Sequence, residues 1–379
     1  QDFSGVSGKE TAEIIRNDLD FTGLFELIDK AAYIENPFQP FNPANWAPIG
    51  VEAVVKGSIQ EGKDLVVKVF LHDVFEGREI FSKKYTANRE LLIPLSHTIS
   101  NDIYSTLTGE QGIFRSRIAF IAENKGAKNL CIMDWDGNRI IETGIKGNVI
   151  LSPHWSTNGD KLIYASERNR QWGIYLLDFT NMTEKKVFSS KGTNIAGDFF
   201  PGGNEIIFSS SKEGTPDLYI MNLKNSNIIK LTSSYGIDVS PAVSPDGNSI
   251  AFVSDRGGNP QIYIMQRDGS NLRRITFEGS YNTSPSWSPK GDKIVFTGRR
   301  GLNQIFIVNP DGTGLTQLTM HGNNEEPSFS PDGRYITFSS DRDRIKGVYI
   351  MRANGESQKR ISPKNYKAYN SRWSLNYVF

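Results

Sequence analysis

The sequence predicts a mainly β protein, a six-bladed β-propeller preceded by a small α/β domain, and three observations carry that prediction. Six bulky anchors, Trp155, Phe199, Val243, Trp287, Phe329 and Trp373, recur at intervals of 44, 44, 44, 42 and 44 residues. Within each interval, turn residues separate short β-type runs in the same order. Residues 1–112 lack the repeat altogether. A period of roughly 40–50 residues with several short strands per unit is that of propeller blades.

The domain over 1–112 is predicted element by element. Ala12, Ile15 and Leu19 fall at helical spacing and predict a helix over 9–19, followed by a strand over 25–28. Residues 36–48 hold four prolines and should form a loop. Alternating runs over 53–59, 65–71 and 79–85, with turns at Glu61-Gly62 and Glu76-Gly77, predict an antiparallel meander. Leu92, Leu95, Ile99, Ile103 and Leu107 then share one helical face, with Gly109 as the stop. The chain opens at Gln1-Asp2-Phe3 without an initiator Met, so a further strand and a signal peptide are expected upstream.

The propeller is predicted over 113–379, each unit having four strands, A to D. The anchor ends strand A. A turn such as Ser244-Pro245-Asp246-Gly247 or Ser330-Pro331-Asp332-Gly333 follows, because Pro fixes φ and Gly accepts positive φ. Strand B brings a second aromatic (Tyr164, Phe208, Phe252, Phe296, Phe338), and strand C a third (Tyr175, Tyr219, Tyr263, Phe306, Tyr349). Asp268-Gly269 and Asp311-Gly312 suit a hairpin into strand D, which ends in Leu231-Thr232, Ile275-Thr276, Leu318-Thr319 or Ile361-Ser362. Residues 117–121 and 130–134 look like strands B and C with no strand A before them, whereas Ser371-Arg372-Trp373-Ser374 is a strand A with nothing after it. Pairing the two closes the ring and removes the exposed edges of an open stack.

Composition excludes several classes. The 379 residues carry 43 basic and 42 acidic side chains, a net +1, which argues against general nucleic-acid binding. No run approaches the ~18 apolar residues of a membrane span. A single cysteine, Cys131, permits no intrachain disulfide and is expected to pack as a small hydrophobe in the first blade.

Several segments resemble TolB, the family of soluble periplasmic components of the Tol-Pal system. They are Asp18-Leu19 with Gly23-Leu24-Phe25, Trp46-Ala47, residues 50–57, residues 96–102, Leu107-Thr108-Gly109 and residues 112–119, in the family's order. The resemblance spans nearly the whole chain. It implies a non-enzymatic, periplasmic adaptor, monomeric on its own, that binds the lipoprotein Pal at one mouth of the propeller. It also implies engagement of TolA through an N-terminal segment expected to lie upstream of this chain, mimicry of the Pal contact by colicins, and a role in outer-membrane integrity and in constriction during cell division.

Alternating strand directions put the D-to-A and B-to-C connections on one face. The candidate partner-binding residues there are Thr193, Ala196, Asp238, Val239, Ser240, Asn282, Thr283, Asn324, Glu325, Glu326, Tyr369 and Asn370. Arg168, Arg170, Lys212, Arg256, Arg299, Arg300 and Arg342 are expected to ring them toward the rim. A mouth of mixed charge suits a folded protein partner. By the resemblance, Ala196 matches a family alanine, Thr193 stands where some members have histidine, and Val239-Ser240 replaces a Thr-Glu pair.

Enzymatic readings fare worse. The alternative, a gate or regulatory propeller for a prolyl-oligopeptidase-like hydrolase, lacks a G-x-S-x-G nucleophile elbow in this chain. His72, His97, His154 and His321 are scattered, with none at metal-ligand spacing, and His154 reads as structural. Glu325 and Glu326 could offer oxygen to calcium, but solvated charge is the commoner state of such a pair. No metal or cofactor is called for.

Overall fold

The computed structural model describes residues 1–374, so the last five residues of the span 113–379 lie outside the described residues. The chain divides into two compact units, Gln1–Arg115 and Ser116–Phe379.

In the first unit, helix α1 (Gly8–Thr22) buries Ala12, Ile15 and Leu19, the stripe its spacing specifies, and stops at Gly23 with φ 65°. Strands β1 (Ala53–Glu61), β2 (Leu65–Asp73) and β3 (Arg78–Ala87) form an antiparallel sheet in that order. Val67, Val69 and Leu71 alternate onto the face that receives Ile99 and Ile103 of helix α2 (Leu92–Thr108). That helix ends at Gly109, φ 72°. The proline-rich stretch is a loop with two short 3-10 turns, Pro43–Asn45 and Ala47–Ile49. The strand expected over 25–28 does not form. The outer edge of β1 is bridged in parallel by Ser4 instead, and Phe25 packs edge-on against Tyr104 at 6.2 Å.

The second unit is a ring of six four-stranded antiparallel sheets, a six-bladed propeller. The strands A are Lys367–Trp373 in blade 1, then Ile150–Trp155, Asn194–Phe199, Asp238–Val243, Asn282–Trp287 and Asn324–Phe329 in blades 2 to 6. The first blade takes its inner strand from the C-terminal end, with Trp373 opposite Ile118 and Tyr369 opposite Ile121. Closure continues on both flanks of that strand. Asn370 N–H donates to Glu326 Oε2 at 2.8 Å in blade 6, and Trp155 of blade 2 donates Nε1–H to the Arg372 carbonyl at 3.0 Å.

The Ser-Pro-Asp-Gly turns fold as their residues dictate. Ser244 Oγ lies 2.5 Å from Asp246 and accepts the Ser249 amide at 2.9 Å, while Gly247 sits at φ 74°. Within each blade the aromatics of strands B and C pair, as in Phe208–Tyr219 and Phe338–Tyr349 with centroids 5.6 and 5.7 Å apart, and the rings join a core shared with the preceding blade. Such pairs add about 0.5–1.5 kcal/mol beyond their burial. Blade 1 replaces the third aromatic with Cys131, opposite Phe120, and burial pushes its thiol up to about 12.

Strand D is shorter than its sequence signal, because each Leu-Thr or Ile-Ser dipeptide lies just past it. The pairing nonetheless continues through them. Leu231 N–H donates to the Leu218 carbonyl at 2.8 Å, and the Thr232 hydroxyl then takes the Leu218 amide at 3.0 Å. Thr276, Thr319 and Ser362 do the same for Ile262, Ile305 and Val348. The hydroxyl ends each ladder in place of a carbonyl.

Candidate functional site

Each strand A carries one irregularity that the repeat does not announce. The residue three before the anchor adopts positive φ at Ser152, Ser240, Ser284, Glu326 and Asn370, with φ between 51° and 59°. A left-handed non-glycine residue costs roughly 1–2 kcal/mol. The pairing register slips at the same place in every strand A. Proline follows at Pro153, Pro241, Pro285 and Pro327, tolerated because strand A is the inner edge of its blade and needs no ladder donor there. In blade 3 the slip falls on Gly197, where a Cβ would lie 2.5 Å from Pro241 Cγ.

These bulges layer the channel. Three residues before each anchor lies a first ring, Ser152, Ala196, Ser240, Ser284, Glu326 and Asn370, which lines a cavity of about 200 Å³. One residue before each anchor lies a second ring, His154, Asp198, Ala242, Ser286, Ser328 and Arg372. The anchors themselves and the following turns line a wider cavity of about 300 Å³ at the opposite end.

The second ring gathers its ionisable members on three successive blades. Arg372 Nε approaches His154 Nε2 at 3.4 Å, and His154 Nδ1 lies 3.8 Å from Asp198 Oδ1. Burial first, and then the charge of Arg372, holds His154 below its ordinary value. Asp198 also accepts the amides of Val243 at 3.0 Å and Phe199 at 2.8 Å. The sequence reading missed this trio. The available signal was that each of the three directly precedes an anchor.

The twelve expected binding residues separate into three groups. Ser240, Glu326 and Asn370 meet in the first ring beside Ala196, although Ala196 is also packed among Ile163, Phe199 and Ile206 in the core between blades 2 and 3. Thr193 is exposed, and Val239, Thr283, Glu325 and Tyr369 are half-buried. Asp238, Asn282 and Asn324, which open their strands A, are buried and turned inward, a correction to their expected place on the mouth's surface. Asp238 takes both oxygens to Arg256 Nη2 at 2.8 and 2.9 Å. Asn282 bonds Gln261 and the Glu278 carbonyl, and Asn324 bonds Gln304 and Arg342. A polar residue at a loop's end looks solvated in sequence, and partners from strand C and the B-to-C loop enclose these three.

Part of the expected ring of rim cations is engaged by aromatic side chains. Arg168, Arg256 and Arg342 stack over the strand C tyrosines Tyr175, Tyr263 and Tyr349 at 3.9, 5.4 and 4.9 Å, and Arg300 lies over Phe306 at 5.0 Å. These stacks tie each B-to-C loop to strand C of its own blade, while Arg300, like Arg170 and Arg299, remains exposed. Glu325 is engaged as well. Burial opposes its ionisation, but Lys346 outweighs that and, with Asn303 at 2.6 Å, holds the carboxyl below its usual range. Lys346 in turn faces the Tyr369 ring, and Tyr369 donates to Glu123 at 3.0 Å across the closing seam. Among the described residues, no helix is long and apolar enough to cross a membrane.

Comparison with known proteins places this architecture. The TolB amino-terminal domain matches residues 2–80 and the TolB beta propeller domain residues 104–377. The Tol-Pal system protein TolB of Geobacter sulfurreducens is 47% identical over 370 residues, covering 97% of this chain and 86% of that protein. The TolB of Desulfosudis oleivorans is 36% identical over 200 residues, and that match spans less than half of the relative, 45% of its length. The crystal structure of TolB from Acinetobacter baumannii superposes with a TM-score of 0.88 at 28% identity, over 98% of this chain and 94% of that one. With both domains matched in order and the propeller closed by its own last strand, the chain belongs to the TolB family of Tol-Pal system proteins.

Proposed function

We propose that the chain is a non-catalytic periplasmic adaptor that receives a Pal-type lipoprotein domain at the mouth where the D-to-A and B-to-C connections emerge. A TolA contact through the N-terminal region, and roles in outer-membrane integrity and in constriction during division, belong to the same reading. The observation that carries it is the first ring of the channel. Ser240, Ser284, Glu326 and Asn370 hold left-handed backbone conformations, and they line a cavity of about 200 Å³ toward that mouth. Strained residues that line a site are a mark of recognition surfaces. Around them Tyr235, Phe277 and Met320 stand exposed on successive D-to-A connections, the kind of large side chains that anchor protein interfaces.

Calorimetric titration of the chain with the periplasmic domain of its cognate Pal tests the reading. Saturable binding is expected, weakened by Thr193→Arg and Phe277→Ala with the melting temperature unchanged. Absence of saturable heat at either mouth would refute it.

A further inference from the structure

The opposite end of the channel offers a second site, beyond the docking reading above, whose floor residues His154 and Arg372 also face the first-ring cavity. Its cavity of about 300 Å³ is within the size range of small-molecule pockets. The wall is the ring of six anchors, three of them tryptophans, and the rim is made by Pro201, Pro245, Pro289 and Pro331. The indoles are fixed rather than loose. Trp155 and Trp287 donate Nε1–H to the carbonyls of Arg372 and Ala242 at 3.0 and 3.1 Å, and Trp373 donates to Ser116 at 2.7 Å. The floor is the second ring, charged on one side by Arg372, His154 and Asp198 and small on the other at Ala242, Ser286 and Ser328.

Arg372 is the unusual member. A guanidinium has five donors. Here Nε meets only His154 at 3.4 Å, and Nη1 meets only the carbonyls of Ser371, Glu326 and Pro327 at 3.2, 3.4 and 3.5 Å. These lie at or beyond the outer limit of good geometry. Among the described residues, no carboxylate comes within ion-pair distance of it, although the charges of Glu326 and Asp198 attract it across the channel, and no acceptor engages Nη2. Asp198 lines the same cavity, but its oxygens take the Val243 and Phe199 amides at 3.0 and 2.8 Å. The side chain is half-buried and faces the channel, so its open Nη2 can take a further acceptor there. A planar carboxylate matches the fork of donors that remains, whereas a cation would be repelled and a dianion would meet Asp198 and Glu326.

We propose that this cavity binds a small organic monocarboxylate, its apolar body against the indoles and its carboxylate on the Arg372 guanidinium. The small half of the floor leaves room for the ligand to reach across to the arginine.

The test uses the full chain, with 3-phenylpropanoate and the uncharged 3-phenylpropanamide as probes, read by tryptophan fluorescence and by calorimetry. The acid is expected to saturate and to bind at least ~tenfold more tightly than the amide. Arg372→Gln should bring the acid down to the amide's affinity, and Arg372→Lys, which keeps the charge but not the fork, should fall between. Trp287→Ala should weaken both probes. Thr193→Arg, at the far mouth, should leave both unchanged while weakening Pal, so failure here and failure of the docking reading are distinguishable. Equal affinity for acid and amide in the wild-type chain, no saturation by either, or unaltered acid binding in Arg372→Gln overturns the proposal. The acid–amide comparison stands even if an Arg372 variant does not fold.

Discussion

The indole nitrogen of Trp155 donates to the backbone carbonyl of Arg372 at 3.0 Å, joining blade 2 to the C-terminal strand of blade 1. Trp287 repeats the bond to Ala242 at 3.1 Å between blades 5 and 4. One relation therefore serves both an ordinary blade junction and the junction on which ring closure depends.

Trp155→Phe keeps most of the apolar contact and removes the donor, leaving the Arg372 carbonyl without it. The expected loss is about 1–3 kcal/mol, the cost of an unsatisfied buried polar group. Urea denaturation with Trp287→Phe as the internal comparison checks it. A larger loss at Trp155 than at Trp287 would locate the weaker junction at the seam.

Removing residues from 367 onward strips blade 1 of Lys367–Trp373, including buried Ala368 and Trp373. The strand at Arg117–Asn124 would then present an unpaired edge toward the channel. The truncated chain should lose its sharp thermal transition and elute as aggregates in size-exclusion chromatography. A monomer with a cooperative transition would show that five blades and a remnant suffice.

Architecture and recognition can be separated at the mouth. Asp238→Ala leaves Arg256 without its bidentate partner in the interior, which should cost about 3–5 kcal/mol. Melting temperature and Pal affinity should fall together in that variant, whereas Thr193→Arg should lower affinity alone. Paired calorimetry and thermal melts on the two proteins decide it.

Acid sensitivity is expected from Glu35 in the first unit. Burial would raise its carboxyl, but Lys56 Nζ at 2.7 Å and the Asn42 amide at 2.7 Å outweigh that and hold it below 4.5. A depressed folded-state value stabilises the fold above about pH 4.5 and loses that contribution as pH falls through it. Glu35→Gln strands the Lys56 charge, so it should cost about 3–5 kcal/mol near neutrality and flatten the acid limb of the stability curve. Urea midpoints of both proteins across the acid range measure the difference.

The repeat was legible because blade packing demands the same bulky residue at the same depth in every unit, and the anchors record that demand. Ring closure was legible for a related reason, since Arg117 to Ile121 lacks an inner partner in sequence and Trp373 lacks an outer one. What sequence hid is conformation without a residue signature. A serine before proline at 152, 240 or 284 does not reveal that its φ is positive, and that bulge is what layers the channel. The burial of Asp238, Asn282 and Asn324 depends on Arg256, Gln261 and Gln304, which lie 18 to 21 positions away in a pattern too variable to read as a pair. The strand expected at 25–28 does not form, and four residues carry no long-range information about a partner edge.

The C-terminal strand is the innermost of its blade, flanked by Glu326 on one side and Trp155 on the other. Because Trp373 lies opposite Ile118, beside the point where Arg117 enters the partner strand, a pull between the tail and the preceding chain opens this antiparallel ladder one bond at a time from the Trp373 end. The hub of the wheel is therefore the point at which traction on the tail would begin to open the ring, and the bonds to Glu326 and Trp155 are what oppose it there.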